Sequence, residues 1–122
     1  MEQKVNEMNK YFEEQIALCG QRGRELDADE RKDEAVFEKV KANIYDVFRK
    51  ILAAAVQVGR GNEEATGRFF AERAEQIPAG WAAAYEKAKE HNDAARMQTE
   101  QVKLDAVREI KTRFSEIWEG RK

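Results

Sequence analysis

Residues that make loops are scarce in this chain. Its 122 residues include one proline, one serine, three threonines and seven glycines, beside 18 alanines and a charged fraction of 38%. A composition so poor in turn formers and so rich in Ala, Glu, Lys and Arg favours helix over strand and loop. The expected fold class is all-α, and the length predicts one domain over residues 1–122.

Cysteine and histidine are nearly missing too, with Cys19 and His91 the only examples. One cysteine forms no intramolecular disulfide, so a reducing compartment and a cytoplasmic location are expected. One Cys and one His do not make a zinc site within a single chain. A di-iron bundle needs Glu-x-x-His pairs, and the residue three before His91 is Ala88. Cys19 falls on an apolar helical stripe, where a thiol acts as a small hydrophobe. Ser115 sits between Phe114 and Glu116, away from any Gly-rich elbow that would make it a nucleophile. Gly59-Arg60-Gly61 lacks the third glycine and the preceding strand of a phosphate loop. No catalytic residue, cofactor or metal is expected from these patterns.

Charge of one sign is missing as well. There are 22 basic and 24 acidic side chains, and each half of the chain, 1–60 and 61–122, holds 11 and 12 of them. Arg22, Arg24, Arg31 and Lys32 gather near one turn, but no basic stripe runs along a face, so nucleic-acid binding is not expected. Membrane insertion is not expected either. The start Met1-Glu2-Gln3-Lys4 opens no signal peptide, and the uncharged stretch Ile51–Gly59 in the middle of the chain is nine residues, against about 20 for a span.

What the sequence does contain is helical periodicity. Val5, Met8, Phe12, Ile16 and Cys19 recur at steps of three and four, predicting a first helix from about Gln3. Gly20 and Gly23 weaken its end, and the stretch 26–33 reads as a turn with Asp27, Asp29 and Asp33 as candidate caps. Next, Phe37, Ile44, Ile51 and Val58 recur every seven residues, with Val40, Val47 and Ala54 between them, an a/d seam over three heptads. Tyr45, Phe48, Leu52, Ala55 and Val56 widen that face, which predicts a second helix at the centre of a bundle. Gly59 is available for a left-handed cap at its end. Asn62 is expected to cap a third helix, and Pro78 to end it at Ile77 and start another at a corner. His91-Asn92-Asp93 reads as a turn, with Asp93 capping a last helix that buries Met97, Leu104, Val107, Ile110, Phe114, Ile117 and Trp118. An echo at an offset of sixty residues, Asp33/Asp93, Phe37/Met97, Ile44/Leu104 and Val47/Val107, hints at two hairpins. Together these segments predict an antiparallel bundle of four to five helices.

The functional reading rests on surplus aromatics. Without its alanines the chain has 33 large apolar residues, a lean core for its length. Phe69 and Phe70 are adjacent, so about 100° of helix separates them and one must face a second partner. With Arg73, Trp81, Tyr85 and Trp118 they form the candidate interaction surface. The expected role is self-association as a homodimer, or contact with another helical protein, without catalysis. The competing expectation is a small-molecule binder or enzyme with an aromatic pocket between helices lined by Tyr11, Tyr45, Trp81 and Tyr85.

Overall fold

The stripe that begins at Val5 is helical over Glu2–Ala28 (α1), followed by Lys32–Gly59 (α2), Glu63–Glu90 (α3) and Ala94–Trp118 (α4). The computed structural model describes residues 1–120, and these helices are the regular structure in them. Only three residues separate each helix from the next, so every helix runs antiparallel to its predecessor. The protein is an all-α, up-down-up-down four-helix bundle. The turns at 29–31 and 91–93 share one end; the turn at 60–62 and both ends of the described chain share the other.

Each turn carries one non-glycine residue in the left-handed region: Glu30 (φ 60°), Arg60 (φ 47°) and Asn92 (φ 54°). Gly59 is therefore not the left-handed cap its position suggested. It is the last residue of α2, and a Cβ there would run into the Thr66 hydroxyl and come within 3.0 Å of the Thr66 amide nitrogen. Lack of a side chain at Gly59 is what lets α2 and α3 close on each other. Asn62 caps α3 as expected, its Oδ1 accepting from the Ala65 amide at 2.8 Å. Asp93 caps α4 in the same way through the Arg96 amide at 3.1 Å. α2 has no side-chain cap, because it begins after Arg31 and Asp33 already lies in its first turn.

The corner expected at Pro78 is absent, and α3 continues unbroken through it. An internal proline removes one amide donor and costs about 3 kcal/mol. The apolar positions nevertheless stay in phase across it: Phe70, Ala74 and Ile77 before, Trp81 and Ala88 after. One continuous helix keeps all of them towards the bundle, whereas a corner would turn half of them away, and this packing outweighs the local rule.

α2 packs against α1, α3 and α4, while the backbones of α1 and α3 stay apart. α4 likewise packs against all three other helices, so α2 and α4 form the diagonal of the bundle that is in contact. Tyr45, Phe48 and Leu52 on α2 are fully buried, with Met8 and Phe12 from α1 and Ile110 from α4. A ladder of rings crosses the interior: Phe48 meets Phe70 at 6.1 Å, Phe70 stacks on Phe114 at 4.5 Å, and Phe114 on Trp118 at 5.3 Å. Each fully buried large side chain contributes roughly 1.5–3 kcal/mol, so cohesion is concentrated at the end that holds the termini. Towards the opposite end the buried positions are Cys19, Gly23, Ala35 and Ala88, and also Glu100, which is 2% exposed. Arg96 and Lys103, one turn before and after it, bring their nitrogens to 3.3 and 3.4 Å of its carboxylate. Two cations on its own helix thus compensate a charge that burial would otherwise penalise.

Candidate interaction surface

α2 carries two apolar stripes, one buried in the bundle and one used by it only in part, where Val47 and Ile51 pack against the edge of the core. The buried stripe is Tyr45, Phe48, Leu52, Ala55 and Gly59. The other, Val36, Val40, Val47, Ile51, Ala54 and Val58, lies roughly 100° around the helix at 3.6 residues per turn. Most of the heptad seam belongs to this second stripe. Ile44 alone among the seam residues is buried; Val40, Val47 and Ile51 are half-buried, and Ala54 and Val58 are exposed. Val36 and Val58 are 53% and 59% exposed, and they are the large apolar side chains that stand exposed among the described residues. Both lie on this stripe, at opposite ends. Its free edge carries Lys39, Asn43, Lys50 and Gln57, all exposed.

The direction of the stripe follows from the neighbours of α2. Glu38 and Tyr45 mark the side towards α1, where Glu38 approaches Gly23 and Tyr45 meets the Tyr11 ring at 6.0 Å. Phe48 and Gly59 mark the side towards α3, through Phe70 and Thr66. The exposed stripe lies beyond that second side. On α3, Thr66, Phe69 and Arg73 step by three and four along the edge that meets α2, so half-buried Phe69 borders the same outer face. The Arg73 guanidinium lies 4.6 Å over its ring.

The six residues singled out from the sequence therefore part company. Phe69 and Arg73 lie on the outer edge of α3. Phe70 is fully buried in the ring ladder. Trp118 is 8% exposed, and its indole N–H donates to the Glu63 carbonyl at 3.2 Å. Gly67 makes room for it, since a Cβ there would clash with the indole, 2.7 Å from Cδ1. Trp81 and Tyr85 are half-buried on the later half of α3, where Lys103 reaches 5.7 Å from the Trp81 ring. Adjacent Phe69 and Phe70 do face apart, but α2 supplies most of the apolar outer face. Val36 and Val58 are the residues that sequence reasoning left out or placed in the core. Their β-branched spacing was the available signal.

The aromatic pocket is likewise divided. Tyr11 meets the buried Tyr45 ring, but of the four aromatics Tyr11 alone lines the groove of about 760 Å³ between α1 and α4, whose walls include Glu7, Glu14, Arg113 and Glu116. Trp81 and Tyr85 are not among its walls. The Tyr45 hydroxyl donates to Glu109 Oε2 at 2.7 Å; burial, and then that bond, drive its pKa far upward. Burial also pushes Tyr11 up to about 12. Cys19 is raised by its burial and by the nearby Glu38 carboxylate, which keeps it a thiol. These groups are poised to stay protonated near neutrality and so to hold the structure. Among the described residues no three His, Cys, Asp or Glu side chains converge as metal ligands, and no helix is long and apolar enough to cross a membrane.

No protein-family model, no curated protein and no solved structure matches this chain.

Proposed function

We propose that this protein acts through protein–protein contact and not through chemistry, self-associating by the outer face of α2 with the Phe69 edge of α3, in the cytoplasm. The observation that carries the reading is the position of the heptad seam. A helix that already buries one full stripe carries a second, β-branched stripe spaced for another helix; its middle, Val47 and Ile51, packs partly against the core, while Val36 and Val58 at its ends stay exposed. Side chains such as Val36 and Val58, held in water at opposite ends of that stripe, supply the apolar area that drives association. The buried, protonated Cys19 fits a reducing setting.

Multi-angle light scattering on the intact chain tests this. The expected mass is near twice 14.1 kDa, falling towards one copy on dilution. A single-copy mass throughout the micromolar range overturns self-association.

A further inference from the structure

We infer that the second copy docks antiparallel on α2, about a two-fold axis that passes beside Val47. This rests on the self-association just proposed and adds its geometry. The valines of the outer stripe and Ala54 are symmetric about Val47: Val36 lies eleven residues before it and Val58 eleven after, and Val40 and Ala54 lie seven to either side, while Ile51 has Asn43 at its mirror position. Reversing a second α2 against the first sets Val36 against the partner's Val58, Val40 against the partner's Ala54, and Val47 against its own copy. An isologous contact asks for this kind of self-complementary surface.

The polar edge agrees. A two-fold axis normal to the paired helices brings the Lys39–Gln57 edges of both copies to the same side. Lys39 then lies near the level of the partner's Gln57, whose amide oxygen accepts from it, and Lys50, already paired with Asp46 at 3.0 Å, lies beside the neutral Asn43 of the partner subunit. A parallel pair would bring both copies of each lysine to a common level and align the two helix dipoles, where the antiparallel pair opposes them. Size sets the strength. The stripe runs about 33 Å along a helix about 10 Å wide, so α2 alone offers a contact near or below the roughly 1,000 Å² expected of a specific interface. The Phe69 edges, which the axis also places on one side, extend it. The result is a reversible dimer of two complete bundles, not an obligate one.

Single cysteines test the orientation, with buried Cys19 as the internal control in the otherwise unchanged chain. Under mild oxidation Val47→Cys should form a disulfide-linked dimer, because its two copies meet on the axis within the separation a disulfide requires. Val36→Cys alone and Val58→Cys alone should cross-link at least about tenfold less, and an equimolar mixture of the two should link the unlike chains. Linkage of Val36→Cys to itself as efficient as that of Val47→Cys overturns the antiparallel geometry. So does a wild-type dimer in light scattering with no linkage at any of these sites, and in that case self-association still stands. A wild-type monomer overturns both.

Discussion

Lys4 joins three parts of the chain. Its ammonium donates to Glu63 Oε2 at 2.9 Å and to the Trp118 carbonyl at 2.7 Å, so the first turns of α1 and α3 and the last turn of α4 meet at one side chain. The Lys4 hydrogen bond, and after it the N-terminal amine, hold the Glu63 carboxyl below its ordinary pKa. A carboxylate depressed in the folded state adds stability that is complete above its unfolded value, about 4.3, and is lost as pH falls through the folded value. Glu63→Gln should therefore melt below wild type at neutral pH, with the gap closing as the pH is taken through and below the carboxylate range. Melting curves across that range check it, and a gap that stays constant in acid would show that the ion pair is not what Glu63 contributes. The same corner contains the Trp118 indole, whose burial needs a glycine at position 67. Here single residues are tied by contacts between helices remote in sequence, which no local pattern announces.

Pro78 shows how an element can override its own residues. α3 keeps its phase through a residue that lacks the amide donor for the Ala74 carbonyl, and Ile77 and Trp81 on either side pack against the core. Pro78→Ala should restore that bond and raise stability by about 1–3 kcal/mol, seen as a higher urea midpoint. A lower midpoint would mean that the packing of Trp81 depends on the proline itself. Helix identity, the turn at His91-Asn92-Asp93, the caps at Asn62 and Asp93 and the broad apolar face of α2 were legible in the sequence, since each depends on short-range period or capping chemistry. Which stripe of α2 faces inward was not. Phe37, Ile44, Ile51 and Val58 are apolar and evenly spaced, and so are Tyr45, Phe48, Leu52 and Ala55. The choice is made by Phe70 and Phe114 on other helices, together with the close approach that Gly59 permits at Thr66. Glu100 was illegible for a related reason. A carboxylate in an otherwise bare stretch reads as solvated unless the cations at Arg96 and Lys103 are seen to enclose it.

The bundle closes its core within one copy, through the ring ladder from Phe48 to Trp118, and still leaves an apolar face outside. The lean count of large apolar residues raised the expectation of assembly, but the aromatics that suggested a place for it divide between interior and surface. Phe70 and Trp118 went inside, and valines of α2 form most of the outer face. α2 therefore carries two kinds of residue that look alike in sequence, those that hold the fold and those that we propose hold the pair. The direct test is to compare Leu52→Asp with the double variant Val36→Asp, Val58→Asp by circular dichroism and light scattering on the same samples. Leu52→Asp buries an unpaired charge at a cost of several kcal/mol and should lose helical signal. The double variant sets carboxylates against each other at both ends of the antiparallel contact, and should keep the wild-type helical spectrum while its mass falls from near twice 14.1 kDa to one copy. A double variant that keeps the wild-type dimer mass, or that unfolds as Leu52→Asp does, would contradict the account.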